Sequence, residues 1–257
     1  MKPDRFTAIR QLLFARGQMS IAEIAEAVRA SEPTVRRDLT VLESEGAIVR
    51  THGGARIADQ MGGELAFETR ESLRLPEKRP ISEAAYDLLR PGCSVFLDAG
   101  TTVLQLARLI RLRPMPLNVF TNCLPLAQLL INVPDVKVTL LGGAMRAENA
   151  SVVGALAEDM LEKLRFDLAF LGMGAMGDDG AIYTVDPQEA RLNALTVERA
   201  ARSAVLSDSS KFGSYLTHRV RIAGPDMCII TDVGLDQAFR DKLTERGVDL
   251  RIVEPLA

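Results

Sequence analysis

The sequence predicts an α/β protein, with a winged helix-turn-helix domain over residues 1–58 and a mainly parallel α/β domain in the longer second part. Three short amphipathic segments followed by a Gly-Gly turn predict the first domain, because this order is typical of a helix-turn-helix with a wing. Six apolar runs that alternate with amphipathic segments predict the second, because a parallel sheet is covered by its crossover helices. A chain of 257 residues is long enough for two such domains, each with its own core.

The N-terminal segment predicts three short helices in succession. Apolar residues at helical spacing between Phe6 and Leu13 indicate the first helix, which we expect to end at Gly17. Ser20-Ile-Ala-Glu23 has the spacing of a capping box and is predicted to begin the second helix. Ser31 is suited to cap the third helix, and Pro33 is tolerated in its first turn. The tight turn between the last two helices is typical of a helix-turn-helix.

The third predicted helix has an apolar face and a basic face. At 100° per residue, Val35, Leu39 and Leu42 fall on one stripe, and Arg36 and Arg37 lie on the opposite side. Guanidinium groups can donate to guanine O6 and N7 or to phosphate, and one helix fits the major groove of DNA. Two adjacent arginines alone would more often form a solvated basic face, but the helix-turn-helix around them favours contact with DNA.

A small hairpin is predicted directly behind this helix. Val49 and Arg50 lead to Gly53-Gly54, a hairpin turn whose second limb would be residues 55–58. Such a wing places basic side chains where they can contact backbone phosphates. The residues that we predict to contact DNA are Thr34, Arg36, Arg37, Thr40, Arg50 and His52.

Charge is distributed unevenly along the chain. The net charge is −3 at pH 7, but residues 1–58 carry nine Lys and Arg against seven Asp and Glu, a net +2, which leaves −5 for the remainder. A mildly basic N-terminal domain joined to an acidic second domain is suited to a DNA-binding domain attached to a separate sensor. We call the N-terminal domain, residues 1–58, the head. Because a charge of +2 is a small electrostatic footprint, we expect two heads to act together in a symmetric dimer or tetramer.

The cysteines and histidines do not indicate a metal centre. Cys93, Cys123 and Cys228 are far apart and form no C-x-x-C pair, which favours buried thiols in a reducing cytosol. His52 and His218 are too few for a typical histidine-rich metal site. The N-terminus has no signal-peptide pattern, and no apolar run approaches the roughly 20 residues that span a bilayer. We therefore expect a soluble cytoplasmic protein with no cofactor, no metal and no membrane partner.

The second part of the chain follows a linker. Residues 59–78 are predicted to form this linker and a charged connector helix, and residues 79–257 a separate domain whose strand order the sequence leaves open. Its apolar runs, which we interpret as strands, are Val95–Leu97, Leu117–Phe120, Val136–Leu141, Leu168–Leu171, Ala204–Leu206 and Met227–Ile230. Its amphipathic segments, which we interpret as helices, are 81–89, 102–110, 123–131, 155–164, 187–202 and 236–245.

Small and polar residues follow five of these strands. The ligand crevice of an open parallel sheet lies at the carboxyl ends of its strands, so we expect these residues to share one edge. Gly100-Thr101-Thr102 would offer backbone N–H groups and two hydroxyls to a phosphate at a helix N-terminus. Lys211 would add a cation, and Asp98, Asn122 and Asp208 are suited to the hydroxyls of a sugar. The predicted effector-binding residues are Asp98, Gly100, Thr101, Thr102, Thr121, Asn122, Gly172, Asp208 and Lys211.

Each of these clusters also has a purely structural interpretation. Gly-Thr-Thr alone is more often a helix cap, and Asp208-Ser-Ser a solvated loop, but five such clusters at equivalent strand ends favour a polyol-phosphate site. Gly172-Met-Gly-Ala-Met-Gly177 matches the dinucleotide-binding pattern G-x-G-x-x-G, which should open a helix. Here it leads into Asp178-Asp-Gly180 and the strand-like Ala181-Ile-Tyr183, so we reject binding of NAD.

The first part of the chain resembles the DNA-binding domain of the DeoR family of bacterial transcription regulators. The resemblance covers residues 5–57 and rests on Thr34-Val-Arg-Arg-Asp-Leu39 and His52-Gly-Gly-Ala55. It implies that the two arginines of the first motif face DNA and that Asp38 helps to hold the helix in place. The chain departs from the family at Ala30-Ser-Glu-Pro33, which replaces the more usual Val-Ser opening and bears on base preference.

Residues 67–232 also resemble that family, whose second domain is similar to ribose-5-phosphate isomerase and related sugar-phosphate enzymes. This resemblance implies a site for a phosphorylated sugar or polyol, with Gly100–Thr102 on the phosphate and Lys211 close by. Where the family often carries Lys soon after a Glu-Ala pair, this chain has Arg191, which bears on effector choice. The matching segments are Glu77-Lys78, Leu97-Asp-Ala-Gly-Thr-Thr102, Thr121-Asn122, Leu141-Gly-Gly143, Gly154, Asp167-Leu-Ala-Phe170, Asp208-Ser-Ser-Lys-Phe212 and Thr231-Asp232.

These motifs together favour a DNA-binding transcriptional regulator and not an enzyme. We expect a repressor of a carbohydrate catabolism operon that binds operator DNA and is controlled by a phosphorylated sugar or polyol at the strand ends of the second domain. The alternative is an active sugar-phosphate isomerase with a DNA-binding head, since Asp98, Asp186 or Glu189 could act as a base, although no second catalytic signal accompanies them. A third interpretation gives the head an RNA-binding or protein-scaffolding role.

Overall fold

The computed structural model describes residues 5–16, 18–44, 48–51, 53–57 and 67–254. The chain divides into two compact units, Met1–Ala66 and Phe67–Ala257. The predicted boundary between connector and second domain, at residues 78 and 79, falls inside a helix of the second unit, Leu75–Tyr86. Residues 67–78 therefore belong to the second unit, because this helix buries Ile81 and Ala85 in that unit's core.

The first unit is a winged helix-turn-helix. Its helices are α1 (Arg5–Arg16), α2 (Ile21–Val28) and α3 (Glu32–Ser44), and its strands are β1 (Gln18–Ser20), β2 (Ile48–Thr51) and β3 (Gly54–Ile57). The strands form an antiparallel sheet in the order β1-β3-β2, in which β2 and β3 are the predicted wing. The short strand β1, which we did not predict, pairs with β3 through Gln18, Met19 and Ser20.

The predicted capping box at the start of α2 is confirmed. The Ser20 hydroxyl accepts from the Glu23 N–H at 3.2 Å, and the Glu23 carboxylate accepts from the Ser20 N–H at 2.7 Å. Arg29 ends α2 in the left-handed region, with φ of 54°. Gly17, which we predicted to end the first helix, lies outside the described residues.

The second unit alternates helices and strands along its whole length. Its helices are α4 (Phe67–Ser72), α5 (Leu75–Tyr86), α6 (Thr101–Leu112), α7 (Leu124–Leu130), α8 (Ala155–Glu162), α9 (Pro187–Arg199) and α10 (Gln237–Glu245). Its strands are β4 (Ser94–Leu97), β5 (Leu117–Thr121), β6 (Val136–Leu140), β7 (Ala144–Arg146), β8 (Ser151–Val153), β9 (Leu168–Leu171), β10 (Ala175–Met176), β11 (Ala181–Thr184), β12 (Ser203–Leu206), β13 (His218–Ile222), β14 (Met227–Asp232) and β15 (Asp249–Val253).

Seven of these strands form one parallel sheet in the order β15-β14-β12-β9-β4-β5-β6. The chain passes from β4 to β5 and β6 on one side and then returns to β9 on the other. The strand order therefore reverses between β4 and β9, the place where doubly wound sheets bind ligands. All six predicted strands are confirmed.

Helices cover both faces of this sheet, as a parallel sheet requires. Along β4, Val95 and Leu97 pack under α5, α6 and α7, whereas Phe96 packs in a second cluster under α8, α9 and α10. Each face thus has its own apolar core, and the loops at the strand ends lie between the two helical layers.

Several short or edge elements were not predicted. In the edge strand β15, Asp249 and Arg251 alternate with apolar residues, so the segment lacks the continuous apolar run of an interior strand. The hairpin β7–β8 and the strands β10 and β13 are equally short or polar, whereas β11 confirms the strand-like character of Ala181-Ile-Tyr183. Gly172–Gly177 contains β10 and leads into β11, not into a helix.

Two kinds of feature are absent from the residues that the structure describes. Within them, no helix is long and apolar enough to cross a membrane. The same residues include no group of three or more His, Cys, Asp or Glu side chains that could hold a metal ion.

Candidate functional site

The two predicted faces of α3 are confirmed. Val35, Leu39 and Leu42 are completely buried against α1, α2 and the wing, in the core of the first unit. Arg36 and Arg37 are exposed on the other side of the helix. Because the buried stripe fixes the rotation of α3, both guanidinium groups are held at the surface of the unit.

A buried carboxylate attaches α3 to α1. The side chain of Asp38 is nearly buried, and the guanidinium of Arg5 donates to both its oxygens, from Nε at 2.5 Å and from Nη2 at 3.0 Å. A bidentate pair of this kind adds geometric precision to charge attraction. Asp38 therefore holds α3 in place, as the family resemblance implied, and Arg5 is the partner that the sequence did not indicate.

The other predicted DNA-contacting residues have varied surroundings. The hydroxyls of Thr34 and Ser31 are hydrogen-bonded at 2.8 Å, where α3 begins. The Thr40 hydroxyl donates to the Arg36 carbonyl oxygen at 2.9 Å, although the Thr40 side chain is exposed. Arg50 is half-buried on β2, and His52 lies outside the described residues.

In the second unit, two glycines allow the loops after β4 and β9 to meet at the reversal of strand order. A Cβ added to Gly100 would lie 3.1 Å from the Cα of Gly172, and a Cβ added to Gly172 would lie 3.2 Å from the Cα of Gly100. Both distances are tighter than an ordinary contact with backbone atoms. Glycine at these two positions therefore keeps the strand ends close together.

Asp98 lies at the centre of these loops. Its carboxylate is buried and accepts hydrogen bonds from the Gly172 N–H at 3.2 Å and from Asn122 Nδ2 at 3.3 Å. Burial raises the pKa of Asp98, and these hydrogen bonds and the positive charge of Arg70 oppose that rise. Three predicted residues from three adjacent strands are thus directly connected.

The loop after β5 carries one residue that can bind a ligand and one whose side chain already forms hydrogen bonds with the backbone. The Thr121 hydroxyl donates to the Leu97 carbonyl oxygen at 2.6 Å and accepts from the Cys123 N–H at 3.0 Å, so it fastens β5 to β4. Asn122 is completely buried, and its Oδ1 has no hydrogen-bond partner among the described residues. Leaving a buried acceptor without a hydrogen bond costs free energy of folding, so this atom is suited to accept from a ligand.

The N-terminus of α6 has the character of an anion site. Gly100 is its N-cap residue, in extended conformation and with no side chain to cap the helix. The N–H groups of the first turn have no partner within their own helix, and they carry the positive end of the helix dipole. Thr101 and Thr102 follow immediately, and both are nearly buried.

The loop after β12 brings a second carboxylate and a lysine to the same edge. Asp208 is buried, and it accepts from the Ser210 N–H at 3.1 Å. Ser209 anchors this loop on Asp232, through its N–H at 2.7 Å and its hydroxyl at 2.8 Å. Burial would raise the pKa of Asp232, but these hydrogen bonds outweigh burial and the pKa is lowered. In the part of the chain described, Lys211 has no ion-pair or hydrogen-bond partner for its half-buried ammonium.

Three cations from α4, α5 and the turn between them also reach this edge, and we did not predict them. Lys78 is buried, and its ammonium donates to the Arg70 carbonyl oxygen at 2.5 Å. Burial lowers the pKa of Lys78 to about 8, with Asp208 opposing that shift and the nearby charges of Lys211 and Arg70 adding to it. The Arg74 Nε lies 3.7 Å from Asp208 Oδ1.

A sequence signal for these cations existed. Arg70, Arg74 and Lys78 are spaced by four residues, which places them on one face of a continuous helix. Such a pattern is more often a solvated face, and only the burial of Lys78 distinguishes it. Cations from α4–α5 and the strand-end carboxylates thus lie within electrostatic reach of one another.

Arg191, where the resemblance led us to expect a lysine, lies on the surface. Its side chain is 76% exposed, and its Nε lies 2.6 Å from Glu158 Oε2 on α8. Glu189, two residues earlier and on the buried side of α9, accepts a hydrogen bond from Asn149 Nδ2 at 2.5 Å and one from the Thr184 hydroxyl. Arg191 is therefore engaged with α8 and not with the strand-end carboxylates.

Comparison with known protein families gives two matches that together span most of the chain. Residues 5–61 match the model of the DeoR-like helix-turn-helix domain. Residues 74–233 match the model of the DeoR C terminal sensor domain.

Similar proteins of known name are transcriptional regulators. The chain is 33% identical over 252 residues to a putative aga operon transcriptional repressor of Escherichia coli O157:H7, covering 97% of this chain and 93% of that protein. It is 34% identical to the HTH-type transcriptional regulator GlpR of Haloferax volcanii, covering 95% of each chain. It is 37% identical to the lactose phosphotransferase system repressor of Streptococcus mutans, covering 82% of this chain and 84% of that protein.

Among solved structures, the chain is similar to ribose 5-phosphate isomerase A of Neisseria gonorrhoeae. The identity is 12% and the TM-score 0.41, covering 56% of this chain and 55% of that one.

Proposed function

We propose that this chain, which belongs to the DeoR family of transcriptional regulators, represses a carbohydrate operon. Repression would last until a phosphorylated sugar or polyol binds at the strand ends of its second unit. The named relatives support this reading, since they include repressors of an aga operon and of a lactose phosphotransferase system. The observation that carries the effector proposal is the convergence of an uncapped helix N-terminus with cations from two parts of the chain at one sheet edge.

The DNA-contacting surface is the exposed side of α3 with the wing. We assign Arg36 and Arg37 to the major groove, because α3 is the second helix of the helix-turn-helix and both side chains are exposed. Arg50 on the wing, Thr34 and Thr40 on α3, and His52 in the turn that the sequence predicts complete the proposed contacts. Replacing Arg36 and Arg37 together by Ala should abolish specific binding, because contacts to base edges carry the sequence specificity.

The phosphate of the effector is assigned to the N-terminus of α6. The N–H groups after Gly100 and the hydroxyls of Thr101 and Thr102 would donate to it, and Lys211 and Lys78 would balance its charge. This arrangement is physically reasonable because Lys211 has no partner among the described residues, and because a dianion would compensate the cost of a charged Lys78 in a buried position.

The hydroxyl groups of the effector are assigned to Asp98 and Asn122. Asp98 keeps acceptor capacity beyond the hydrogen bonds that it accepts from Gly172, Asn122 and Ala99, and the unpartnered Oδ1 of Asn122 requires a donor. A polyol supplies donors in this arrangement, whereas an apolar ligand would leave both acceptors unsatisfied.

We assign the control of DNA binding by the effector to α4 and α5. These helices are the first elements of the second unit, and Arg74 pairs with Asp208 while Lys78 lies within electrostatic reach of the same carboxylate. A bound phosphate would compete with Asp208 for these cations and so favour a different position of α4 and α5. Only a difference in effector affinity between the two positions can change DNA binding, and about 1–3 kcal/mol of coupling is typical.

We also propose that the protein acts as a dimer or tetramer. The N-terminal unit carries little net charge, and symmetric operators are bound by two helix-turn-helix units about one helical turn of DNA apart.

The test is fluorescence anisotropy on DNA from upstream of the protein's own operon, with a panel of sugar and polyol phosphates added. We expect specific binding that one compound abolishes. Lys211→Met should retain DNA binding and lose the response, whereas Lys137→Met, the same change on the exposed side of β6, should keep both. Specific binding that no compound alters would contradict the effector assignment.

The isomerase alternative is addressed by a coupled assay with ribose 5-phosphate and glucosamine 6-phosphate. The named relatives do not favour it, since they are regulators and repressors. We expect no turnover, and turnover that is lost in Asp98→Asn would contradict this expectation.

A further inference from the structure

An acidic side chain accompanies Arg36 at the start of α3. Glu32 lies in the first turn, and its Oε2 is 3.5 Å from Arg36 Nη2. About half of each side chain is exposed, 51% for Glu32 and 55% for Arg36. Because the two residues are four apart on a helix whose rotation is fixed by its buried stripe, they present one paired surface.

This pair lies at the end of the helix that reads bases. In a helix-turn-helix, the N-terminal residues of the second helix contact base edges in the major groove. Ser31 and Thr34 hold this end of α3 through their hydroxyls, and Asp38 anchors the next turn on Arg5. Glu32 and Arg36 therefore project from a rigid support.

The chemistry of the two side chains is complementary to two different bases. Arg36 has only donors, and guanine presents two acceptors, O6 and N7, in the major groove. An ionised Glu32 has only acceptors and is repelled by phosphates and by the acceptor edges of guanine and thymine. Cytosine N4 is the donor that a glutamate reads.

We propose that Glu32 and Arg36 act as one base-reading unit, in which Arg36 donates to a guanine and Glu32 accepts from cytosine N4 of the neighbouring base pair. The inference rests on the proposed function of this chain as a DNA reader. Glu32 is then a specificity-determining residue, and its ion pair with Arg36 in the free protein positions the guanidinium before DNA binds.

A role limited to helix stability makes a different prediction. As the first-turn acid of α3, Glu32 would then stabilise the helix dipole, and its loss would weaken binding to all sequences equally. A loss of discrimination at one base position in the Glu32 variants indicates base reading, whereas an equal loss at all sequences indicates helix stabilisation. Thermal unfolding of each variant shows whether it is folded.

The experiment selects full-length protein on a pool of randomised DNA duplexes and then measures affinity by anisotropy on the selected sequence and its single-base variants. Wild-type protein should require a guanine and, at the neighbouring base pair, a cytosine in each half-site. Glu32→Ala should reduce discrimination at the cytosine by about 5- to 100-fold while the guanine is still preferred. Glu32→Gln should shift the preference towards adenine, since an amide pairs with adenine N6 and N7.

Glu43→Gln is the matched control, because it makes the same change on an exposed residue near the other end of α3. It should leave base preference unchanged. The inference would be overturned if both Glu32 variants kept the base preference of the wild type at every position. It would also be overturned if the variants lost the same affinity for every DNA sequence. If the wild-type protein selected no sequence at all, the proposed DNA-reading function would fail, and this inference with it.

Discussion

The response to effector should depend on pH through Lys78. Burial lowers the pKa of its ammonium to about 8, and a bound phosphate dianion would hold the proton in the complex. A phosphate ester is almost fully dianionic above pH 7, since its second pKa is about 6. Lys78 is therefore the group whose charge changes between pH 7 and 9.

The magnitude follows from the protonated fraction. With a pKa of about 8, roughly nine-tenths of the free protein carries charged Lys78 at pH 7 and roughly one-tenth at pH 9. Because apparent affinity is reduced by the fraction of protein competent to bind, effector should bind about tenfold more weakly at pH 9.

The assay is isothermal titration calorimetry of the identified sugar phosphate from pH 7 to 9, on wild type and Lys78→Met. Methionine keeps the length of the side chain and removes its charge, so the variant should bind more weakly at pH 7 and show no such slope. A wild-type affinity that is constant from pH 7 to 9 would refute the reasoning, and so would an equal slope in the variant.

The same group affects stability in the effector-free protein. The folded pKa of Lys78, about 8, lies below the value of about 10.4 in an unfolded chain, so the unfolded state binds more protons between them. Stability should therefore rise with pH across this window, and Lys78→Met should remove that part of the rise.

Three further predictions concern the head, the strand ends and the assembly. Arg5→Ala should destabilise the first unit by about 1–3 kcal/mol, because it leaves the buried Asp38 carboxylate without its bidentate partner; thermal unfolding measures this, and an unchanged midpoint would contradict it. Gly100→Ala should weaken effector binding while DNA binding persists, because the new Cβ would lie 3.1 Å from the Gly172 Cα and force the loops apart, at a cost of about 1–3 kcal/mol; unaltered calorimetry would show that the close approach is not needed. Light scattering should give the mass of two or four chains, and a monomer that binds operator with full affinity would contradict the assembly.

The fold was predictable where periodicity and chain order reflect packing. The apolar stripe of Val35, Leu39 and Leu42 identified the buried side of α3, and the capping box located the start of α2. The interior strands β4, β9, β12 and β14 were predicted from continuous apolar runs. The edge strand β15 was missed because alternating charge hides a strand whose pairing partner, β14, is distant in sequence.

The candidate site was predictable only in part. Residues that follow strands could be placed together, because the carboxyl ends of parallel strands meet at one edge. The cations of α4–α5 could not be placed at this edge from the sequence. Their spacing is also that of a solvent-exposed helix face, and only the tertiary fold buries Lys78. Likewise, the sequence could not indicate that the Thr121 hydroxyl already bonds two backbone groups.

The central claim is that the strand-end site and the DNA-reading surface are coupled in one chain. The most direct test measures the operator dissociation constant with and without saturating effector, and the effector dissociation constant with and without operator. We predict that both change by the same factor, about 5- to 150-fold, because coupling between two binding equilibria is reciprocal. Effector that binds tightly while both constants stay unchanged would contradict the claim.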